Sequence, residues 1–206
     1  ASLLRLAGAL FWFWYIRGPL SEGRAWLERA MEVGSGERPG EPYGRVRVGA
    51  GLLAHFDGDH ARARRLLEAS LTGAPELDDP WLRAFALLLL GMVTEDQGDY
   101  VLAEVRFADA LAQFQAAGDR SNAALAVTHL GVAAWGQDEP HRAVELFEDA
   151  LAMQREARDH WGISISLGYL GLLAAEHGEP VRSAIALQES LRLRWSTGVW
   201  EDIAAS

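Results

Sequence analysis

"GDYVLAEVRFADAL" (Gly98–Leu111) sets a pattern that appears four times in this chain at a constant interval. Forty residues later stands "DEPHRAVELFEDAL" (Asp138–Leu151), another forty later "GEPVRSAIALQESL" (Gly178–Leu191), and forty earlier "GDHARARRLLEASL" (Gly58–Leu71). A fixed period of this length is the signature of a repeat architecture, in which each unit is one supersecondary element that its neighbours must cover.

The register extends beyond the quoted stretch. Gly51, Gly91, Gly131 and Gly171 are 40 apart, and a second marker, Gly58, Gly98, Asp138 or Gly178, follows each by seven residues. Next come Ala63, Ala103, Ala143 and Ser183, then Leu67, Phe107, Phe147 and Leu187, then Ser70, Ala110, Ala150 and Ser190. In one unit Ala103, Phe107, Ala110, Leu111 and Phe114 occupy i, i+4, i+7, i+8 and i+11, which is one face of an α-helix. The segment before it, such as "WLRAFALLLLGMVTEDQ", is apolar on most sides and long enough for a more deeply buried helix.

Start signals agree. Asp79, Asp119 and Asp159 stand where first helices need an N-cap, Asp59 and Asp99 where second helices do, and Pro80, Pro140 and Pro180 suit a first helical turn. The expected pairs are 2–17 with 19–33, 43–56 with 59–73, 80–96 with 99–117, 120–136 with 139–157, and 160–176 with 179–196. "GSGERPGEP" (Gly34–Pro42) reads as a loop, and "VWEDIAAS" (Val199–Ser206) as the start of a further helix. Small residues at the register positions let two helix backbones approach to about 8–9 Å. The large residues at the Phe107 register then fill the wedge towards the next pair.

This pattern resembles the tetratricopeptide repeat, on Leu90-Gly91 in the first helix, "GDY" (Gly98–Tyr100) at the turn, and Ala103, Phe107 and Ala110-Leu111 in the second. The period is 40 where the family has about 34. Ala54, Thr94, Ala134 and Ala174 stand where the family has a first-helix tyrosine, and the first unit carries Phe11 at the glycine register and Gly23 at the alanine register. The resemblance implies an all-α, right-handed superhelical solenoid of about five helix pairs. It also implies a single repeat domain over 1–206, with units 1–40, 41–79, 80–119, 120–159 and 160–199 and a further helix starting at 200–206.

Composition narrows the chemistry. The 206 residues carry 29 acidic against 19 basic side chains, a formal charge of -10 that opposes binding to nucleic acid or an anionic membrane. There is no cysteine, so no disulfide or thiolate site. All 19 basic residues are arginine, which excludes a phosphate loop ending in Gly-Lys and a Schiff-base lysine. The apolar run Leu6–Ile16 is too short for a membrane span and lacks a signal-peptide layout, so the expected location is the cytoplasm. A start at Ala1, directly inside an apolar run, is expected of a fragment.

Candidate catalytic and ligand motifs resolve into the repeat. "VRVGAGLLA" (Val46–Ala54) satisfies Gly-x-Gly-x-x-Ala, the dinucleotide-binding turn, but Gly51 belongs to the forty-residue register and no β-α-β alternation surrounds it. Gly44, Gly49 and Gly51 would each weaken a helix by about 1 kcal/mol, making that pair the expected flexible one. "DGDH" (Asp57–His60) reads as a capped turn, and the six histidines show no His-Glu-x-x-His spacing. His60, Arg62, Arg64 and Arg65 form a basic cluster that Glu68 balances on the same helix. No serine sits in a nucleophile elbow, so no catalytic, cofactor or metal residue is expected, and the chain is read as non-enzymatic.

The resemblance further implies that first helices line a concave groove. Its rows would be Arg5, Arg45, Phe85, Leu125 and Ile165; then Trp12, Leu52, Met92, Val132 and Leu172; then Tyr15, His55, Glu95, Trp135 and Ala175. A protein, a peptide or a small inducer is the expected occupant, with no direct contact to nucleic acid or membrane. Exposed terminal helices would allow self-association into a homo-oligomer. "LRLAGALFWFWYIRGPLSEGRAWLERAM" (Leu4–Met31), followed by units of the Gly98 type, is similar to the helical region of large bacterial LuxR-type transcriptional regulators. That similarity implies a sensor segment attached to an ATPase and a DNA-binding domain; a free-standing scaffold is the alternative.

Overall fold

The computed structural model describes residues 2–16, 18–34, 41–72 and 79–196. Most of the expected loop Gly34–Pro42 and the whole tail Val199–Ser206 lie outside them. The described residues form ten helices and no strand: α1 (Ser2–Ile16), α2 (Leu20–Gly34), α3 (Glu41–Phe56), α4 (His60–Thr72), α5 (Pro80–Glu95), α6 (Tyr100–Ala116), α7 (Arg120–Gly136), α8 (Pro140–Ala157), α9 (His160–Glu176) and α10 (Pro180–Ser196). Each end falls within two residues of the position expected from the forty-residue register. The largest shift is at α3, which starts at Glu41 because Pro42 fits its first turn.

Capping follows the register. Asp59, Asp99, Asp119 and Asp159 each accept a hydrogen bond from the backbone N–H three residues on, at 3.0, 3.1, 3.0 and 2.9 Å. Asp79 accepts from Trp81 N at 3.0 Å. Glu139 starts α8 without a side-chain cap, and its carboxylate receives Arg142 Nη1 at 2.8 Å. The second markers are the left-handed residues that end first helices: Gly58, Gly98 and Gly178 have φ of 77°, 79° and 73°, and Asp138 has 63°. Each of three such turns is closed by an N–H reaching back five residues: Asp59 to Ala54 O, Glu139 to Ala134 O and Glu179 to Ala174 O, at 2.9, 3.0 and 2.9 Å.

The chain divides into two compact units, Ala1–Asp96 and Gln97–Ser206. In the first, α1 packs on α2 and α3, α3 on α4, α4 on α5, and α3 also meets α5. In the second, α6 packs on α7, α7 on α8, α8 on α9 and α9 on α10, with α7 also against α9. First helices thus lie beside first helices and are covered by second helices, which gives each unit its core.

The small residues sit where the backbones close in. A methyl group on Gly51 would stand 2.7 Å from Leu67 Cγ, one on Gly131 2.6 Å from Phe147 Cε1, and one on Gly171 2.7 Å from Leu187 Cγ. In every case the large partner comes sixteen residues later, on the second helix of the same pair. Phe147 also stacks on Tyr169 of the next first helix, with ring centroids 5.2 Å apart, and Phe107 stacks on His129 at 5.1 Å. One large residue therefore seals its own pair and its junction with the next.

The first pair keeps the relationship with its partners exchanged. Phe11 replaces the glycine and is 1% exposed. Gly23 replaces the alanine, and a methyl there would strike Trp14 Cβ at 2.6 Å and Leu53 Cδ1 at 2.8 Å. The glycines of α3 are likewise contact points: a methyl on Gly49 would lie 2.7 Å from Phe11 Cβ. "VRVGAGLLA" lies wholly inside α3, where its glycines admit bulky neighbours and no strand-to-helix turn exists.

Arginines of the second helices link consecutive pairs. Arg62 binds Glu28 at 2.6 Å, Arg182 binds Glu148 at 3.0 Å, and Arg142 binds Glu104. Arg62, Arg142 and Arg182 share one register position, and Glu28 and Glu148 share another, where Ala108 stands in the α6–α8 junction. Arg142 accordingly uses Glu104, one turn earlier. Its guanidinium and the Gln137 side-chain amide, 2.6 Å away, hold the Glu104 carboxyl below its ordinary range. Exposed pairs of this kind contribute at most about 1 kcal/mol each, so they select register more than they stabilise.

Candidate binding surface

The expected groove rows behave differently in the two units. In the first unit Leu52 and Phe85 are each 2% exposed and His55 9%, so all three belong to the core and do not line a surface. The cause is the aromatic content of α1 and α5 together with the glycines of α3. Trp12 and Phe85 ring centroids are 5.0 Å apart, Phe11 and Phe85 6.4 Å, and Trp81 stacks on Phe85 at 5.3 Å. Tyr15 packs on Phe56 at 4.7 Å, and burial pushes its phenol up to about 12. Trp12, Tyr15, Arg45, Met92 and Glu95 are half-buried, and Arg5 is exposed. Arg45 donates to Asp79 at 2.6 Å, so this cation helps to fix the cap of α5.

In the second unit the rows remain at the surface. On α7, Leu125, Val132 and Trp135 are half-buried; on α9, Ile165 is half-buried and Leu172 is 48% exposed. Within each helix these positions are three, seven or ten residues apart, which keeps them on one face. The two helices are in contact, so the residues make one apolar strip two helices wide. Trp135 Nε1 donates to Glu176 Oε2 across the strip at 3.0 Å, which fixes the indole against α9.

A polar network supports this strip from inside. Thr128 Oγ1 donates to Ala124 O at 3.1 Å, lies 3.0 Å from Ser166 Oγ, and accepts Gln154 Nε2 at 3.1 Å. With its proton given to Ala124, the threonine oxygen accepts from both partners, which makes Ser166 the donor. All three side chains are fully buried, joining α7, α8 and α9 at the level of the strip. Ser190 Oγ ties α10 to the same layer by donating to Ser164 O at 2.6 Å.

Two further features were not legible as sites in the sequence. Val181, Ile185 and Ala186 of α10, with Leu167 and Leu170 of α9, line an apolar cavity of about 630 Å³. His55, His60 and Asp96 gather their ligating atoms at one place in the first unit. His60 reads from sequence as part of a turn, because Asp96 is 36 residues away and belongs to no recognised spacing with it. No helix among the described residues is long and apolar enough to cross a membrane.

Residues 82–156 match the tetratricopeptide repeat family. No curated protein sequence matches the chain. Among solved structures, a Rap protein complexed with competence and sporulation factor is similar over 97% of this chain and 55% of its own, with 20% identity and a TM-score of 0.81. The Rap conjugation gene regulator of the plasmid pLS20, in complex with the Phr* peptide, is similar over 95% of this chain and 53% of its own, at 14% identity and a TM-score of 0.78. BtubC (BKLC) from P. vanneervenii is similar over 93% of this chain and 82% of its own, at 18% identity and a TM-score of 0.70. The chain therefore has the fold of the tetratricopeptide-like helical solenoids and spans about half the length of either Rap protein.

Proposed function

We propose that this chain is a non-catalytic interaction segment that binds a polypeptide on the first-helix face of its second unit, and that it is the sensing part of a larger bacterial regulator of the LuxR type. The apolar strip of Leu125, Val132, Trp135, Ile165 and Leu172 carries the reading. These side chains stay accessible while the corresponding Leu52 and Phe85 are buried. An accessible apolar surface on a rigid frame suits a peptide ligand, since contact costs the frame little ordering. The two Rap structures support a peptide as ligand class, because on a similar fold one is in complex with the Phr* peptide and the other with competence and sporulation factor. A small inducer on the same strip is the competing ligand, and a cytoplasmic location goes with the regulator reading.

The test is a peptide selected from a random display library against the purified chain. Leu172→Glu and Trp135→Ala should each weaken the selected peptide at least about tenfold, as loss of a buried anchor does, with helicity unchanged. A peptide insensitive to both substitutions would place the binding face elsewhere.

A free-standing scaffold is the second reading, favoured by the similarity to BtubC, of which this chain spans most of the length. The complete open reading frame separates the two. A Gly-Lys phosphate loop and a helix-turn-helix in the same frame belong to the regulator, and start and stop codons bounding these residues belong to the scaffold. Self-association through the exposed Val181, Ile185 and Leu191 of α10 is a further part of the proposal, and light scattering that finds only monomer at high concentration would count against it.

A further inference from the structure

The end of α3, the start of α4 and the residue after α5 bring three metal-ligating side chains together within the first unit. His55 Nδ1 lies 3.3 Å from Asp96 Oδ2, and His60 Nδ1 lies 3.5 Å from the same oxygen. The three ligating atoms all fall within 4.8 Å of one another. His60 Nδ1 is buried and makes no hydrogen bond. Both nitrogen-to-oxygen distances exceed the roughly 2.7–2.9 Å of a charge-assisted hydrogen bond. They match a different geometry: ligand atoms about 2.0–2.1 Å from a tetrahedral metal stand about 3.3–3.4 Å apart along each edge.

Among the described residues, these three alone bring their ligating atoms together. Asp57, in the adjoining turn, is paired with Arg24 at 2.8 Å, and Asp59 caps α4 by accepting from Arg62 N. Phe56 packs edge-on against the His55 ring at 4.8 Å, and the two imidazole rings meet edge to face at 5.8 Å, which limits their rotation. The Asp96 side chain is 40% exposed and that of His60 35%, so an ion can enter from solvent.

We propose that His55 Nδ1, His60 Nδ1 and Asp96 Oδ2 bind one divalent first-row transition-metal ion, zinc by ligand chemistry, with water in the fourth position. Two imidazole nitrogens and one carboxylate disfavour calcium and magnesium, which take oxygen ligands. The ion joins the α3–α4 turn to the end of α5, a second polar link between these consecutive pairs beside the Arg45–Asp79 ion pair. The site lies wholly in the first unit and is independent of the peptide strip.

The experiment uses the untagged chain, stripped with a chelator and titrated with zinc chloride by calorimetry, then with cobalt(II) chloride by visible absorption. One equivalent of zinc should bind and raise the melting temperature, and cobalt should give the intense visible bands of a four-coordinate site. His60→Gln and Asp96→Asn should each weaken zinc at least about tenfold, the scale of a lost coordination contact, and abolish the melting shift. His141→Gln, an exposed histidine on α8, should change neither. Both tested side chains are partly exposed, so the variants keep the fold, and circular dichroism verifies it. Absence of one-equivalent binding, or affinity in both variants within tenfold of the parent chain, overturns the proposal.

Discussion

Thr128 and Ser166, 38 residues apart, meet hydroxyl to hydroxyl at 3.0 Å between α7 and α9, with Gln154 of α8 completing the junction. Because the three groups are buried, removing one strands the others. Thr128→Val keeps the shape but leaves the Gln154 amide and the Ser166 hydroxyl without their acceptor, and should cost about 1–3 kcal/mol in urea unfolding. Adding Gln154→Met should return part of that loss, since Gln154 Oε1 is buried without a hydrogen-bond partner already. Simple additivity of the two losses would show that the groups do not act together.

Arg158 holds φ at 54° where the chain passes from α8 to α9, while Gly118 takes 72° at the matching turn from α6 to α7. A left-handed L-residue costs about 1–2 kcal/mol, partly offset by glycine's greater freedom when unfolded. Arg158→Gly should therefore raise stability by roughly 0.5–1 kcal/mol. Gly98→Ala should lower it by a similar roughly 0.5–1 kcal/mol through the backbone alone, because nothing lies within 4 Å of the added methyl group. A destabilised Arg158→Gly would mean that its side chain, not its backbone, matters.

Tyr15 is one of four tyrosines, and its phenol is raised to about 12 by burial. The unfolded phenol ionises near pH 10. The stabilisation is therefore complete below pH 10 and is lost as the pH rises through about 12, where the folded phenol also ionises. Absorbance titration of the folded chain should show a late tyrosine that is lost in Tyr15→Phe. A titration in which that substitution removes an ordinary tyrosine would refute the burial.

Much of the fold is legible in the sequence itself. Helix ends, caps and the turns between helices are legible from Asp79, Asp119, Asp159, Gly58, Gly98 and Gly178, because each is a local requirement that the chain meets with a neighbouring residue. Exposure of the groove rows is not. Periodicity assigns Leu52 and Phe85 to a face but cannot say how closely the next helix covers it; here Phe11, Trp12 and Trp81 close over Phe85 from two helices. The same reading at Leu125, Val132, Trp135, Ile165 and Leu172 leaves a surface, because α7 and α9 carry alanine, serine and threonine between these positions. Asp96 is not legible beside His55 and His60, since ligands from three helix ends share no sequence spacing.

Gly131 and Phe147 carry the central relationship, a small residue on one helix set against a large one on the next, which fixes how closely each pair nests. The direct measurement is a double-mutant cycle in urea on Gly131→Ala and Phe147→Leu. Gly131→Ala alone should destabilise the chain by about 1–3 kcal/mol through overpacking, despite alanine's better helix propensity. Combined with Phe147→Leu, whose smaller side chain withdraws from the added methyl group, the glycine substitution should cost at least about 1 kcal/mol less than it does alone. A stabilising Gly131→Ala, or a cost that stays the same whichever residue occupies position 147, would contradict the account.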